Sequence, residues 1–433
     1  MSDKLLLGVS RAIITPEVGC ALSGYRPDLY SESVNDDLTA TVLVFSQNGT
    51  TAMLITATVS CVRTSLDREV REKISESTGV KFENIILCAT HTHSGPNTLG
   101  TAGWGTVDRH YVDTVFIPQI LVAAREACES LVSVRVGYAQ GESYVGINRR
   151  EMRADNTIAL GQNPQGAMNP NMTVISFRSE NGESIANLIH YGCHGTASGA
   201  NREITRDWSG VMMDVVERDF GGITAFINGP EGDVGPRLTN GRTTGGGNIS
   251  YALELGGYAA RDAMTVAQKI KAYRNEDISV FAGEIKIPLK PRMPYDRAKS
   301  EYEKYKDCTS GSDGLYRELC RMTAESYEKG EADAEYRAFS QTIIRIGDIA
   351  IVSFPFELFC EIGIRIDTYC KEIPYVLSLS NANGSESYFP TEEQKCRGGY
   401  ETKICDLRHT QPYSENADYA LVTETLENLK KVM

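Results

Sequence analysis

Short apolar runs alternate with amphipathic stretches over most of the first 270 residues, and this rhythm restricts the fold more than any other feature of the chain. The run Thr51–Thr58 reads TAMLITAT, a charged amphipathic stretch continues to Ser77, and Asn84–Thr90 then reads NIILCAT. Apolar runs of this length are typical of buried strands, and amphipathic stretches with a period of 3.6 are typical of helices. The sequence therefore predicts an α/β fold in which a mixed β-sheet is flanked by helices.

Further elements follow from the same reading. Strands are predicted at Ser133–Ala139, Thr173–Phe177, Ser184–His190, Ile223–Ile227, Ser279–Ile287, Thr342–Ile346 and Ile349–Phe354. Helices are predicted near Arg109–Leu131, Asp207–Phe220, Ala252–Tyr273 and Asn416–Lys431. The Lys-, Glu- and Tyr-rich segment near residues 295–338 lacks strand signals and predicts a helical insertion on the surface, whereas Thr243–Gly247 (TTGGG) predicts a loop. We expect a single domain over residues 1–433.

Composition excludes several classes of protein. A chain of 433 residues that is 41% hydrophobic and 23% charged can bury a large core, so a disordered chain is excluded. A net charge of 44 − 57 = −13 disfavours nucleic acid or an anionic membrane surface as the main partner. No window is apolar enough for a membrane span, and the amino terminus lacks the apolar region of a signal peptide, so we expect no integral membrane contact and a cytoplasmic location. The 11 cysteines lack C-x-x-C spacing, which favours reduced thiols.

Two histidine clusters directly follow predicted strands. Thr90–Pro96 reads THTHSGP, and histidines at i and i+2 can place one imidazole on a metal and the other beside a bound water as a base. A packed histidine beside a solvent-facing one is the alternative. His190–Thr196 reads HYGCHGT, and because the chain turns at Gly192, only one of its histidines need reach a site.

Three later segments gain meaning only in combination with these clusters. Asn228–Arg237 packs glycines, prolines and charges into a loop that can hold backbone N–H groups close to a ligand, or that can be an ordinary surface turn. Glu357 places a carboxylate after a predicted strand, and Tyr388 is followed twelve residues later by Tyr400.

Together these segments resemble the neutral/alkaline ceramidase family, which are zinc-dependent amidohydrolases of the N-acyl bond. Thr90–Pro96 is similar to the family's most recognisable motif. The other similar segments occur in family order: Gly8-Val9, Ile14-Thr15-Pro16, Gly24-Tyr25, Asn148-Arg149, His194-Gly195-Thr196, Gly232-Asp233-Val234, Glu357, Tyr388 and Tyr400. The chain is thus identified as a divergent, soluble member of this family.

The resemblance implies a site with zinc ligands from both halves of the chain. It makes His91, His194, Glu357 and Tyr388 the ligands of Zn²⁺. His93 becomes the general base or proton shuttle beside a metal-activated water that attacks the amide carbonyl. The resemblance further implies that Arg149 and Tyr400 polarise the carbonyl and stabilise its oxyanion, while Asp233 orients the site from its loop.

One departure from the family concerns the loop that usually reads Gly-Asp-Val-Ser-Pro, because Gly235 stands here in place of the serine. A covalent serine mechanism at this position is excluded, whereas attack by a metal-activated water needs no serine. Gly235 and Arg237 are then expected to contact substrate. Two alternatives remain: a non-catalytic homologue that binds a metal or ligand, and an enzyme that uses Cys193 as nucleophile with His190 or His194 as base.

Arginines lie in or beside the site-forming segments, which is unexpected in an acidic chain. They are Arg149, Arg150, Arg202, Arg206 and Arg237. Because arginine binds carboxylate or phosphate through two parallel hydrogen bonds, we expect a small, soluble, anionic amide as substrate rather than a long-chain ceramide. The alternative is that Arg202 and Arg206 pair on the surface with Glu203 and Asp207.

Overall fold

The computed structural model describes residues 4–237, 244 and 246–433. Thr243 and Gly245 of the predicted loop at Thr243–Gly247 lie outside the described residues. The strands, in chain order, are β1 (Leu6–Ile13), β2 (Ser33–Val34), β3 (Thr39–Gln47), β4 (Thr50–Ala57), β5 (Ile85–Ala89), β6 (Val132–Glu142), β7 (Gly146–Asn148), β8 (Arg150–Met152), β9 (Ile158–Leu160), β10 (Asn171–Ser179), β11 (Ser184–Tyr191), β12 (Glu203–Ile204), β13 (Ile223–Asn228), β14 (Val234–Pro236), β15 (Ile278–Pro288), β16 (Tyr336–Ile346), β17 (Ile349–Ser353), β18 (Phe356–Leu358), β19 (Tyr375–Leu379) and β20 (Ser387–Phe389).

The helices include all those that the sequence predicted, with differences mainly at their ends, and three between residues 360 and 407 that it did not predict. They are α1 (Thr64–Thr78), α2 (Arg109–Tyr111), α3 (Ile117–Glu129), α4 (Asp207–Phe220), α5 (Ser250–Ala267), α6 (Tyr295–Tyr305), α7 (Gly311–Glu328), α8 (Cys360–Tyr369), α9 (Glu392–Arg397), α10 (Tyr400–Leu407) and α11 (Ala417–Leu429). One π-helical turn, Val112–Phe116, joins α2 to α3, so the predicted helix near Arg109–Leu131 is continuous but not regular.

The mixed sheet is confirmed. Within the described residues, eight strands form it in the order β13-β11-β10-β6-β1-β3-β4-β5. Only the outermost pairs, β11 with β13 and β4 with β5, are parallel, and the inner pairs are antiparallel. Because five antiparallel pairs separate β4 from β11, the two parallel pairs run in opposite directions within the sheet.

A second, smaller sheet packs on one face of the first. Its order is β15-β16-β17-β19, with β17 and β19 parallel. The apolar side chains between the two sheets include Phe45, Leu54, Phe177 and Leu188 from the larger sheet and Ile344, Ile351 and Leu377 from the smaller. Because side chains alternate between the faces of a strand, the remaining apolar residues of each sheet face outward and require helices to cover them.

Helices bury those outer faces. Helices α1 and α3 cover the β1, β3, β4 and β5 half of the larger sheet, through side chains such as Val70 and Ile120. Helices α4 and α5 cover the other half, where Trp208 is buried. Helices α8, α10 and α11 pack against the outer face of the smaller sheet through residues such as Ile362 and Leu421. The molecule therefore has four layers, helix, sheet, sheet and helix.

The predicted helical insertion consists of α6 and α7, and it is more than a surface addition. Leu315, Leu319 and Cys320 on α7 are buried. The backbone N–H of Gly311 donates to the carbonyl of Gly103 over 2.9 Å. A Cβ on Gly103 would lie 2.2 Å from the Gly311 oxygen, and Gly103 has a φ of +86°, so only glycine permits this contact. The insertion thus supports the loop around residue 103.

A short strand pair, a single bridge and a backbone hydrogen bond bring segments that are distant in sequence together. Thr92, after β5, forms a parallel bridge with Gly195, after β11, and the N–H of His93 donates to the Gly195 carbonyl over 3.1 Å. Strands β18 and β20 pair in parallel with Glu357 opposite Tyr388. The segments named in the sequence analysis therefore meet in space.

None of the helices in the described ranges combines the length and the apolar composition that crossing a membrane requires. The cytoplasmic location stays a prediction.

Asp207, the first residue of α4, ties the segment after His194 to that helix. It is fully buried and has a φ of +58°. Its carboxylate accepts hydrogen bonds from the backbone N–H groups of Ala197, Ser198 and Trp208 over 2.8–2.9 Å. The buried charge is thereby stabilised, and the turn after His194 is fixed in place.

We expect Asp207→Asn to lower the free energy of unfolding by about 2–4 kcal/mol, because an amide N–H would face the N–H of Ser198 and leave it unsatisfied. Urea denaturation of the variant checks this. Asp219→Asn, which changes an exposed carboxylate near the other end of α4, is the control and should change stability by less than about 0.5 kcal/mol. Equal stabilities for the two variants would contradict the assigned role of Asp207.

Candidate metal and active site

His91 and His194 present the same ring nitrogen to one point. The Nδ1 atom of His91 lies 2.7 Å from the Ser60 carbonyl, and that of His194 lies 2.7 Å from the Glu231 carbonyl. Since a carbonyl only accepts hydrogen bonds, each Nδ1 carries the proton, and in the neutral rings each Nε2 carries a lone pair. A backbone carbonyl on one ring nitrogen and a free lone pair on the other is the usual environment of a metal-binding histidine.

Glu357 adds a third electron donor at this point. Its Oε2 atom lies 3.4 Å from His91 Nε2 and 3.3 Å from His194 Nε2. Despite these short distances, His194 Nε2 and Glu357 Oε2 are buried without a hydrogen-bond partner. Buried acceptors that converge without a proton between them are costly unless a cation lies among them. Two imidazoles and a carboxylate match the ligand types that zinc prefers, so the residues fit the metal that the sequence implies.

The charges of these groups suit metal binding. Burial, followed by the positive charges of Arg149 and His91, lowers the pKa of His194 to about 3. Burial raises the pKa of Glu357, but the neighbouring histidines outweigh it and hold that pKa well below its usual range. Burial also lowers the pKa of His91, yet Cys61 and Glu357 outweigh it and raise the pKa well above its usual range. A metal must therefore displace a proton from His91, and its affinity should fall with pH.

His93 differs from the other two histidines. Its Nε2 atom lies 3.3 Å from His91 Nε2, so it joins the same cluster of potential ligand atoms. However, its Nδ1 atom has no hydrogen-bond partner, and the ring is only half-buried and lines a cleft. Burial and the two neighbouring histidines hold the pKa of His93 well below its usual range, so its ring is neutral at neutral pH.

The backbone at Gly24 makes room for the His93 ring. Gly24 has a φ of +106°, and a Cβ at this position would lie 2.2 Å from His93 Nδ1. Tyr25, the next residue, packs its ring edge-on against His93 at 5.2 Å between centroids. The Gly24-Tyr25 pair noted in the sequence thus forms the wall against which His93 lies.

Tyr388 lies beside the cluster and is held by charged neighbours. Its hydroxyl accepts a hydrogen bond from Arg149 Nη2 over 3.1 Å, and Arg149 Nε donates to Glu401 over 2.9 Å. The second oxygen of Glu401 accepts from Arg150 Nη1 over 2.7 Å. The Tyr400 ring lies 6.0 Å from that of Tyr388, and both tyrosines line the cleft. The structure therefore brings Arg149 to Tyr388 rather than to the cleft itself.

Asp233 stabilises the site from behind. One carboxylate oxygen accepts the backbone N–H of Cys360 over 2.8 Å, and the other accepts from Asn148 Nδ2 over 3.1 Å. Its own carbonyl accepts the N–H of Arg149 over 2.8 Å. Burial raises the pKa of Asp233 to about 6. Asp233 thereby connects the segments that carry Glu357 and Arg149, without lining the cleft.

Two residues that the sequence analysis did not select also face the histidines. Asn381 donates to Glu231 Oε1 over 2.8 Å and lies 3.3 Å from His91 Nδ1. Burial raises the pKa of Glu231 to about 8, and Glu231, His91 and Glu357 form a second group of potential ligand atoms. Glu231 was detectable, since it is the only carboxylate besides Asp233 in the loop Asn228–Arg237. No local sequence pattern indicates a role for Asn381, because its hydrogen-bond partners are distant in sequence.

The cluster lies at one end of a cleft of about 590 Å³. His91, His93, Glu357, Tyr388 and Tyr400 line this end. Apolar side chains line other parts of the cleft, namely Leu99, Trp104 and Ile404. The arrangement can hold a polar reacting group next to the histidines while an apolar portion of the ligand lies along the wall.

The structure corrects the positions expected for Gly235 and Arg237. Gly235 is buried in β14, where it pairs with Ile147 of β7. Arg237 is exposed, and its Nε donates to the Tyr144 carbonyl over 3.0 Å beside a different groove. Neither is among the described residues that line the cleft. The reason is that β14 turns its residues toward β7, behind His194.

The remaining arginines of the anionic-substrate prediction are paired elsewhere. Arg202 contacts Glu32 at 2.5 Å, and Arg206 contacts Asp36 at 2.8 Å and Asp214 at 2.6 Å. Both arginines therefore form ion pairs, as the alternative stated, but the partners that it named, Glu203 and Asp207, were wrong. In each case the partner comes from another segment or, for Asp214, from about two helical turns further on.

The cysteine alternative is not supported by the geometry. Cys193 is fully buried, and its Sγ lies 3.6 Å from the His194 carbonyl rather than beside an imidazole. Burial raises the pKa of Cys193 well above its usual range, whereas a nucleophilic cysteine needs a lowered pKa. The Nε2 of His190 hydrogen-bonds to the Ser378 carbonyl over 2.9 Å, so this histidine is structural.

Comparisons with known proteins agree with the motif resemblance. A sequence model described as "Neutral/alkaline non-lysosomal ceramidase, N-terminal" matches residues 5–249, more than half of the chain. The chain is 26% identical over 271 residues to the neutral ceramidase of Mycobacterium tuberculosis, a match that covers 54% of this chain and 41% of that protein. It is 30% identical over 173 residues to neutral ceramidase A of Dictyostelium discoideum, covering 36% and 24%. The matches thus span less than half of either relative.

Two solved structures have a similar fold. The neutral ceramidase of Pseudomonas aeruginosa superposes with a TM-score of 0.76 at 19% identity, over 98% of this chain and 74% of that one. A structure described as "Ceramidase complexed with C2" gives a TM-score of 0.74 at 18% identity, over 99% and 76%. The architecture is therefore shared along nearly the whole chain, although the side chains have diverged.

We expect one zinc ion per chain, and we expect His194→Ala to weaken zinc binding at least about 100-fold, because a direct ligand contributes more than its supporting partners. Chelator competition and elemental analysis measure this. His110→Ala, which removes an exposed histidine outside the cluster, is the matched control and should leave the affinity unchanged. Zinc affinity should also be weaker at pH 5.5 than at pH 7.5. A stoichiometry near zero, or unchanged affinity in His194→Ala, would contradict the assignment.

Proposed function

Since the chain belongs to the neutral/alkaline non-lysosomal ceramidase family, we propose that it is a zinc-dependent amidohydrolase that cleaves an N-acyl amide bond. The observation that carries the proposal is the convergence of His91 Nε2, His194 Nε2 and Glu357 Oε2 at the end of an open cleft. A buried metal site beside a cleft with a free imidazole is an arrangement suited to hydrolysis.

In this proposal His91, His194 and Glu357 hold the metal, with Tyr388 as the fourth ligand. Zinc supplies a lowered pKa for a water molecule and polarisation of the substrate carbonyl. The carbonyls of Ser60 and Glu231 fix the two imidazoles, and Arg149 fixes the Tyr388 hydroxyl. These contacts favour a pre-organised site, which needs little rearrangement during the reaction.

His93 acts as the acid and base. Its ring is neutral at neutral pH, lines the cleft and has no carbonyl that fixes it as a ligand. It can therefore accept the proton of the attacking water and then donate a proton to the departing amine nitrogen. This exchange leaves His93 in its starting state after each turnover.

Tyr400 stabilises the carbonyl oxygen as negative charge develops on it. Burial, followed by the charge of Glu357, raises the pKa of Tyr400 to about 12, so its hydroxyl keeps the proton that it donates. Arg149 supports this step from behind Tyr388, where its positive charge faces the cluster. Hydrogen-bond donors aimed at a developing oxyanion provide a large share of the rate enhancement in amide hydrolysis.

The nucleophile in this proposal is water rather than a serine. Gly235 has no side chain and lies in β14, so this position forms no acyl-enzyme. The same replacement favours a second candidate, a homologue that binds metal and ligand without turnover. The free His93 ring and the Tyr400 hydroxyl in the cleft favour the enzyme, because binding alone requires neither a proton shuttle nor an oxyanion donor.

The proposal is tested with the zinc-loaded protein and a panel of amides that includes N-acyl amino acids, N-acyl amines and a short-chain ceramide. Turnover of at least one amide supports it. Zinc binding without any turnover across the panel would support the binding homologue instead. Because the matched regions of the curated relatives are partial, the panel must extend beyond ceramide.

We expect His93→Ala to lower kcat by about 10²–10⁴ with zinc content unchanged, since a positioned acid or base contributes a factor of this size. Steady-state kinetics and elemental analysis of the same preparation measure both quantities. His110→Ala again serves as the control. If kcat changes less than fivefold, or if zinc is lost together with activity, then His93 is not the proton shuttle.

We expect Gly24→Ala to reduce kcat at least about tenfold, because the added Cβ would displace the His93 ring and the backbone at +106° disfavours any side chain. Zinc affinity should be retained, since Gly24 faces His93 and not the ligands. Kinetics and zinc titration of this variant are compared with Gly257→Ala, where a Cβ meets open space. Wild-type kcat in Gly24→Ala would contradict the positioning role.

A further inference from the structure

One face of α10 continues from the cleft to an arginine. Tyr400 and Ile404 line the cleft, and Arg408, four residues further on, directly follows the helix with helical backbone angles. Residues four apart lie on the same face of a helix, and their side chains lean toward its amino terminus. Arg408 therefore extends the row that begins at Tyr400 and leans back toward the cleft.

The contacts of Arg408 place its guanidinium next to a residue of the cleft wall. Nη1 donates to Thr101 Oγ1 over 3.0 Å, and Nε donates to the Glu386 carbonyl over 2.8 Å. Thr101 itself lines the cleft. Both contacts are to uncharged oxygens, and Nη2 makes no hydrogen bond within the described part of the chain. These two hydrogen bonds fix the orientation of the guanidinium, and its Nη2 can still donate a hydrogen bond.

Arg408 is one of several half-buried arginines, with Arg178, Arg337 and Arg345, that have no ion pair within the described residues. It is half-buried, yet no carboxylate of the described residues lies within 4 Å of it. The deeply buried arginines each have a carboxylate within 3 Å, namely Arg71, Arg149, Arg150, Arg206 and Arg292. A partly desolvated guanidinium without a counter-ion is costly, and this cost is consistent with a site that binds an anion.

A second arginine increases the positive charge at this point. Arg63 follows the cleft residues Ser60 and Cys61, and its backbone N–H donates to the Thr98 carbonyl over 3.1 Å. Its side chain is exposed and has no ion pair among the residues that the structure describes. Burial lowers the pKa of Arg408, Glu386 opposes this effect, and Arg63 adds to it more weakly than Glu386 opposes it.

Glu386 offsets part of this positive charge. Its Oε1 accepts from Thr64 over 2.6 Å, and its Oε2 lies 3.7 Å from His409 Nε2. Burial, then Arg337 and Arg408, hold the pKa of His409 well below its usual range, so it is uncharged at neutral pH. Two guanidinium groups against one carboxylate leave a net positive charge at this end of the cleft.

We propose that Arg408, assisted by Arg63, forms a subsite for an oxyanion, a carboxylate or a phosphate, carried by the substrate at the end remote from the amide. The helical rise of about 1.5 Å per residue puts Arg408 about 12 Å from Tyr400 along the axis, and its side chain reaches back over part of that distance. The planar guanidinium binds such anions through parallel hydrogen bonds. This inference rests on the proposed amidohydrolase function, and it assigns the anion to Arg408 instead of Arg237.

The kinetic test uses the zinc-loaded enzyme and pairs of amides that differ in one charge. The anionic probes are the mono-anilide of suberic acid, N-acetyl-6-aminohexanoate and N-acetyl-phosphoethanolamine. Their neutral partners are the methyl ester of the first, the primary amide of the second and N-acetylethanolamine. The first two probes place a carboxylate on the acyl or the amine side, and the third distinguishes phosphate from carboxylate.

We expect at least one anionic probe to have a higher kcat/KM than its neutral partner, and we expect Arg408→Gln to reduce this preference about 10- to 100-fold, as for a lost charged hydrogen bond. Arg63→Gln should reduce it less, and Arg408→Lys should retain part of it. Arg68→Gln, which removes an exposed arginine paired with Glu72 on α1, should leave the preference unchanged. Equal kcat/KM values within every pair, or a preference that survives in Arg408→Gln, would overturn the subsite.

A binding measurement separates this inference from the proposed function. Calorimetry with suberate and with inorganic phosphate is performed on the zinc-loaded wild type, Arg408→Gln and Arg63→Gln, because any binding to the metal is common to all three. Weaker binding in the variants supports the subsite even if no amide is turned over, and identical Kd values overturn it even if amides are cleaved. If circular dichroism shows that Arg408→Gln does not fold, the binding measured with Arg63→Gln tests the subsite instead. The exposed Arg63 side chain supports no neighbouring segment, so this variant should fold.

Discussion

The convergence of two imidazole nitrogens and a carboxylate oxygen within 3.3–3.4 Å is the constraint on which the rest of the structure depends. Such groups repel one another unless a proton or a metal cation lies between them, so the surrounding chain must hold them in place. His91 follows β5, His194 follows β11, and Glu357 lies in β18, so the cluster needs both sheets and the short β18–β20 pair in register. The four-layer architecture provides this by packing the smaller sheet on the larger one.

Local backbone strain accompanies this geometry. His91 has a φ of +71° and Asn381 a φ of +49°, conformations that cost about 1–3 kcal/mol for residues other than glycine. The structure fixes both through backbone hydrogen bonds, from His91 N–H to the Val59 carbonyl and from Ala89 N–H to the Asn381 carbonyl. The turn at His91 departs from the extended strand, and the rings of His91 and His93 both face the cluster.

The sequence predicted the parts of the structure that depend on local patterns. Apolar runs located β4, β5, β11 and β13, and helix α4 agrees with the predicted Asp207–Phe220. The partners of charged residues were not predictable in the same way, because they depend on long-range packing. Arg149 and Arg150 were expected to point to an anionic substrate, and nothing local in the sequence identified Glu401 as their partner. Arg237 has the right chemistry for an anion site, yet β14 directs it to another surface.

The two ends of the cleft are formed by different kinds of element. The residues of the proposed reaction are therefore held separately from those that would select the substrate. Strand ends and short strand pairs position the histidines and Glu357, so small changes elsewhere leave that end intact. Loops and helices form the other end, where α7 supports both walls: Gly311 hydrogen-bonds to Gly103, and Ser312 accepts from Lys403 on α10. Loops of this kind tolerate changes in sequence better than the sheets do. Changes in α7, α10 and the loop near residue 103 can therefore alter the cleft while the geometry of His91, His194 and Glu357 is retained.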